Sequence, residues 1–173
     1  MTNLSAEDNI IQYLRLVGLL KDLPRTGWVR KGVDTPETVS GHMYRMSLAA
    51  LALAESEGLD AKRCVRMALV HDLAEAEVGD ICPHDPVSSE EKHRLERESM
   101  VGVRALLNDA NLAGPGEEIL ELWDEYEAQE TPEARFVKDL DKFDMILQAA
   151  EYEHNGRVPR AVRLCLVRRG LSV

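Results

Sequence analysis

Three cysteines among 173 residues is a small number, and their placement excludes more than their count. Cys64, Cys82 and Cys165 are odd in number and far apart, which fits neither a disulfide framework nor a CxxC zinc site, so reduced, structural thiols are expected. Glycine and proline are modest at 11 and 7, and there is no repeat or low-complexity tract, which argues against a fibrous or disordered chain. Basic residues are outnumbered, 21 Lys and Arg against 31 Asp and Glu, for a formal charge of −10. A broad basic face that neutralises nucleic-acid phosphates is therefore not expected, although a local Arg or Lys cluster could still meet a small anion. Long apolar runs are missing too. The richest, "MSLAALALA", is far too short to span a bilayer, and the acidic start "MTNLSAEDNI" has no basic region followed by an apolar stretch. The expectation is a cytoplasmic protein with neither membrane nor nucleic acid as partner.

Period-2 alternation bounded by turn residues is also absent, so the chain reads as all-α. With 45% hydrophobic and 30% charged residues it suits one globular domain over residues 1–173, a bundle of six to seven helices. Ser5 with Asp8 resembles a capping box opening a first helix, which carries Ile10, Ile11, Leu14 and Val17 and ends near Leu20. The basic loop "KDLPRTGWVRKGVDTPETVS" follows. A second helix runs from Pro36 or Val39 to Glu57, its start marked by Thr35, with Gly58 as its stop. Asp60 caps a third, continuous through His71 to about Val78, which Gly79 ends. After the polar loop "DICPHDPVSS", Ser88 or Ser89 with Glu91 opens a charged fourth helix to about Asn108. "ANLAGPGE" reads as a turn, the fifth helix as Glu117 to Gln129, and the sixth as starting at Thr131-Pro132 and reaching Tyr152. "PRAVRLCLVRRG" is a short last segment.

The stretch "ALVHDLAEAEVGD", residues 68–80, is the anomaly. Its helix has apolar residues around its whole circumference, so His71 and Asp72 belong in or beside a core. An unpaired carboxylate there costs several kcal/mol and needs a cation or several donors. A divalent metal answers both residues. Consecutive helical residues point about 100° apart, so the pair cannot chelate from one face and needs ligands from crossing helices. His42, in "VSGHMYRMSLAALALA", and Asp141, in "ARFVKDLDKFDMILQAAEYE", are the candidates. Asp141 has Val137 at i−4 and Met145 at i+4, an apolar stripe; Asp139, between Arg135 and Lys142, has the pattern of a solvated ion pair. Two imidazoles and two carboxylates form a mixed set suited to one Mn, Co, Mg, Zn or Fe ion rather than a soft metal.

These three stretches, from about Leu16 through "LPRTGWVRKGV" to about Glu153, resemble the H…HD…D signature of the HD-domain superfamily, in particular its 5′-deoxynucleotidase branch. The resemblance implies an all-helical, metal-dependent phosphohydrolase, usually dimeric, that removes the 5′-phosphate from deoxyribonucleoside monophosphates. It assigns His42, His71, Asp72 and Asp141 to the metal, Glu75 to catalysis, Arg25 to orienting the phosphate and Asp80 to the nucleoside pocket. Glu75, one turn beyond His71, could take a proton from water or give one to the leaving 5′-oxygen. Arg25 offers a bidentate fork in one of the few basic places of the chain. Trp28 reads either as a core plug or as a platform for the base. His84 and His93 read as surface or substrate-side residues. They would matter to the main alternative, an HD-type di-iron oxygenase with extra histidine ligands. A third class, a non-catalytic nucleotide-binding HD module, is disfavoured by the intact Glu75, Arg25 and Asp80.

Overall fold

The structure is a computed structural model that describes residues 5–83 and 85–157. His84, Cys165 and the expected last segment, residues 159–170, lie outside the described residues. Within them the architecture is helical: α1 (Ala6–Leu19), α2 (Thr26–Arg30), α3 (Val39–Leu53) with a 3₁₀ turn at Ala54–Glu57, α4 (Ala61–Val70), α5 (Glu75–Val78), α6 (Ser89–Asp109), α7 (Ala113–Ala128) and α8 (Pro132–His154). The six long helices are those expected from the sequence, and the two short ones, α2 and α5, were not expected.

Caps explain most of the boundaries. Ser5 and Asp8 form the reciprocal capping box at α1. Asp60, Ser88 and Thr131 each accept a backbone N–H at the start of α4, α6 and α8. Thr38, not Thr35, caps α3 by accepting the Gly41 amide. Helix α7 starts earlier than its Gly-Pro-Gly sequence promised. Pro115 falls in the first turn, where an amide has no intrahelical acceptor anyway, and a Cβ on Gly116 would sit 3.2 Å from the Arg104 carbonyl, so glycine lets α6 and α7 approach closely.

The largest correction concerns the third expected helix, which does not run through to Val78. Regular helix ends at Val70, and the chain tightens into successive i→i−3 bonds, from the amides of Leu73, Glu75, Ala76 and Glu77, before α5 and a left-handed Gly79 at φ 77°. The HD pair therefore sits in a tight turn at the end of a helix. That geometry removes the objection that neighbouring helical residues diverge.

Two apolar clusters meet along α3. Met46 and Ala50 join Met67, Leu122, Val137 and Leu140; on the other side Val39 and Met43 join Leu20, Leu73, Met100 and Trp123. In α1 the inward row is Asn9, Tyr13, Leu16, Val17 and Leu20, while Ile11 and Leu14 point to solvent. Trp28, Val33, Ala149 and Tyr152 make a small third cluster. The HD turn is held between the two large clusters, packed by Leu73 and Ala74 on the α6 side.

Candidate active site

His71 is 3% exposed, and its Nδ1 donates to the Ala68 carbonyl at 3.0 Å. Because a carbonyl can only accept, Nδ1 carries a hydrogen, and in the neutral ring Nε2 is the lone-pair atom. His42, fully buried, has Nδ1 at 2.7 Å from Asp144 Oδ2. Both Nε2 atoms are buried without a hydrogen-bond partner. His42 Nε2 lies 3.3 Å from Asp141 Oδ1 and 3.8 Å from Asp72 Oδ2, the first without hydrogen-bonding geometry; His71 Nε2 lies 3.2 Å from Asp72 Oδ2. Ligand atoms of His42, His71 and Asp72 fall within 4.8 Å of one another. Two orphaned imidazole nitrogens and the Asp72 carboxylate, drawn from α3 and the HD turn, fit a divalent cation, and Asp141 of α8 stands beside them through His42.

The carboxylates are themselves held. Asp141 Oδ2 accepts from Tyr126 Oη at 3.1 Å and from Lys138 Nζ at 3.1 Å. Burial alone would raise its pKa, but His42, His71 and Lys138 bring it well below the ordinary carboxylate range. Asp72 is likewise lowered: burial opposes ionisation, and His71, Arg25 and His42 outweigh it. For His42, burial works against the charged ring, yet the Asp141 and Asp144 carboxylates raise it to about 9.

Arg25 lies over the open side. Its Nη1 is 3.2 Å from Asp72 Oδ2 and its Nη2 3.9 Å from Asp141 Oδ1. The Arg25 side chain caps nothing at the start of α2; instead Asp80, 54 residues away, accepts the Thr26 amide at 2.6 Å and anchors the turn that presents Arg25. Glu75 is 5% exposed, and its Oε2 has no hydrogen-bond partner. Burial, reinforced by Asp72 and Asp80, raises the Glu75 pKa and favours its protonated form.

The structure thus brings together His42, His71, Asp72, Asp141, Arg25, Glu75 and Asp80. Trp28 is placed elsewhere, packed in the third cluster in the manner of a core plug. It is 4% exposed, donates Nε1–H to Glu37 at 3.0 Å and meets the Tyr152 ring at 5.4 Å, so it has no face to offer a base. His93 points away from the site, stacked on Trp123 and bonded to Glu127 at 3.1 Å. Asp139 is an exposed partner of Lys142, as expected, while Arg135 bonds the carbonyls of Gln129 and Glu130.

Sequence reasoning missed Asp144, Tyr126 and Lys138. The stripe drawn through Val137, Asp141 and Met145 was slightly misplaced: Met145 is 45% exposed, and the buried row is Ala134, Val137, Leu140, Asp144 and Gln148. Asp144 lies seven residues after Val137, two helical turns on the same face, and that spacing was the available signal.

A helical scaffold that gathers two imidazoles and an aspartate at one point, with a second aspartate and an arginine beside them, defines an HD-type domain. The chain belongs to the HD domain family, whose model matches residues 17–170. It is similar to 5′-deoxynucleotidase HDDC2 of Danio rerio, 53% identical over 146 residues that cover 84% of this chain and 70% of that protein. Among solved structures it is similar to a Pyrococcus horikoshii OT3 protein, with a TM-score of 0.71 and 34% identity over 94% of this chain and 90% of that one. A predicted metal-dependent phosphohydrolase from Magnetospirillum magnetotacticum MS-1 superposes with a TM-score of 0.66 at 28% identity, over 87% of this chain and 75% of that one.

Proposed function

We propose that this chain is a metal-dependent 5′-deoxynucleotidase that converts deoxyribonucleoside 5′-monophosphates to deoxynucleoside and phosphate. The observation that carries the reading is the pair of buried Nε2 atoms without a hydrogen-bond partner, close to Asp72 and Asp141 beneath the Arg25 guanidinium. The name of the Danio rerio relative, at 53% identity, supplies the substrate class. His42, His71, Asp72 and Asp141 would hold one divalent cation, of the Mn, Co, Mg, Zn or Fe type. When bound there, such an ion lowers the pKa of water and offsets phosphate charge. Arg25 turns from its carboxylate partners to fork two phosphoryl oxygens, and its planar donors hold the group in line. Glu75, buried and without a partner at Oε2, handles the proton, taking it from water or giving it to the leaving 5′-oxygen. Asp80 keeps the Arg25 turn in place and lines the pocket beside Arg25 and Glu75, both of which feel its charge.

The reading includes a single HD domain over residues 1–173, a cytoplasmic location and a homodimer. Cys64 and Cys82 are free thiols, in keeping with a reducing compartment, and no helix of the described residues is long and apolar enough to cross a membrane. Tyr44, Leu48 and Leu51 form an exposed apolar row along α3 that a second copy could cover. A di-iron reading is disfavoured because His93 is spent on Trp123 and Glu127.

The test is phosphate release by metal-stripped protein from 5′-dNMPs, 5′-NMPs and 3′-dNMPs, with Mn, Co, Mg, Zn or Fe(II) restored one at a time and dioxygen uptake followed in parallel. Metal-dependent release from 5′-dNMPs is the expected result. No release with any metal sinks the proposal, and oxygen uptake with Fe(II) would replace it with the oxygenase.

A further inference from the structure

Helix α3 carries a single Lys, Arg, Asp or Glu between Val39 and Leu53, and it is Arg45. Its side chain is only 31% exposed and lies behind His42, on the far side from the cation site. Arg45 Nε donates to Asp144 Oδ1, Nη2 to the Asp144 carbonyl at 3.4 Å and Nη1 to Glu151 Oε2 at 2.9 Å, with Glu37 Oε2 3.8 Å from Nη2. The second oxygen of Asp144, Oδ2, is the one 2.7 Å from His42 Nδ1. The two oxygens of one buried carboxylate are thus committed to two different partners.

The chemistry of those partners leaves one arrangement. A guanidinium has five donors and no acceptor, and an ionised carboxylate only accepts, so the ring nitrogen facing Asp144 must carry hydrogen. His71 reaches the same protonation pattern through a main-chain carbonyl, which no substitution removes. For His42 the pattern depends on two side chains, neither of which the nucleotidase reading uses.

We propose that Arg45 and Asp144 are a positioning pair that dictates which ring nitrogen of the neutral His42 imidazole carries the proton, so that Nε2 is the lone-pair atom facing Asp72 and Asp141. The effect on metal affinity rests on the reading of His42 as a ligand; the ring tautomer does not. The pair also fixes what an isosteric substitution must do. In Asp144→Asn, the Arg45 N–H groups require an oxygen, so the amide oxygen turns toward Arg45 and its NH₂ toward His42. Nδ1 must then accept, and the proton moves to Nε2, the atom that should be free. An analogous carboxylate-to-amide change beside a catalytic histidine traps the wrong tautomer in serine proteases. Removing Arg45 as well frees the amide to flip back.

The experiment pairs imidazole ¹⁵N shifts of the metal-free protein at pH 10.5, above the value of about 9 to which His42 is raised, with Mn²⁺ affinity by calorimetry near neutral pH. Wild type and D144E should show the Nδ1–H form. D144N should show Nε2–H and bind Mn²⁺ roughly 100-fold more weakly, at the upper end for residues that support a ligand, whereas D144A should lose only about tenfold. R45M/D144N should bind Mn²⁺ more tightly than D144N. A D144N ring that keeps Nδ1–H overturns the proposal, and so does a double variant that binds no better than the single one. Should D144N fail to fold, D144A decides: a mixture of tautomers supports the pair, and an unchanged Nδ1–H signature overturns it. An inverted ring with undiminished Mn²⁺ affinity would uphold the pair and remove His42 from the ligand set.

Discussion

In the HD turn, His71 is held by the carbonyl of Ala68, three residues back, at 3.0 Å; across the site, His42 is held by Asp144, 102 residues distant, at 2.7 Å. The two halves present the same atom, a buried Nε2 without a hydrogen-bond partner, by different means. The turn half is built locally: α4 ends, the chain tightens, and His71, Asp72 and Glu75 are aimed by backbone geometry over a few residues. The half formed by α3 and α8 is built by side chains, with Arg45 behind Asp144, and Tyr126 and Lys138 behind Asp141. A local device loses function only when the ligand itself is changed. A remote one can be weakened in steps by changing residues that touch no metal.

Removing ligands of the turn half should have the largest effect. H71A or D72A should abolish measurable Mn²⁺ binding and with it all phosphate release, since no neighbouring group in the turn can replace either. Calorimetry against wild type checks this, and retention of metal by D72A would show that the local half is dispensable.

Glu75 sharpens the comparison because it shares the turn but not the ligand role. E75Q should leave Mn²⁺ affinity near wild type and lower kcat by about 10²- to 10⁴-fold, the usual range for a lost general acid. Wild-type turnover by E75Q at saturating Mn²⁺ would refute the proton-transfer assignment. The same variant has a second readout in the metal-free protein. Glu75 has a raised pKa when folded, so above its unfolded value of 4.5 the folded state binds the extra proton, and stability falls as pH rises. Gln cannot titrate, so metal-free E75Q should melt above wild type, by a margin that widens from pH 5 to pH 8. A margin independent of pH would mean that Glu75 is ionised in the fold.

Asp80 tests the link between the turn and the substrate arm. D80A removes the acceptor of the Thr26 amide and should cost about 1 kcal/mol, as a lost helix cap does, while raising KM for dNMP by roughly tenfold. Unchanged KM would separate Arg25 from the Asp80 anchor.

The comparison also explains what could be read from the sequence. The all-helical class, the six long helices and the inward choice of Asp141 over Asp139 follow from periodicity and capping, which are local. So does the grouping of His71, Asp72 and Glu75. The break at Val70 was hidden because the apolar pattern continues through Leu73 and Ala74 and no Gly or Pro marks the change from i→i−4 to i→i−3 bonding. Asp144 and Lys138 were hidden because a charged residue on a charged helix reads as solvated until its partner is known, and the partners, His42 and Tyr126, come from other helices. Short α2 carries too few residues for a period and depends on the distant Asp80.

Trp28 offers the smallest and most selective test, because it belongs to the side-chain half yet stands behind the site. Its indole N–H satisfies Glu37, whose backbone carbonyl accepts the Arg25 amide at 3.0 Å and whose own amide donates to Tyr152 Oη at 2.7 Å. W28F keeps the aromatic packing on Tyr152 but leaves a part-buried Glu37 oxygen short of a donor, at a cost of about 1 kcal/mol. Thermal unfolding should register that loss, and KM for dNMP should rise slightly for every base alike as the Arg25 loop loosens. If W28F instead changes the order of preference among dAMP, dGMP, dCMP and dTMP, the ring reaches the base during turnover and the loop must open to expose it. An unaltered order would leave base recognition to groups other than Trp28, with the side-chain half responsible only for holding the site's parts in place.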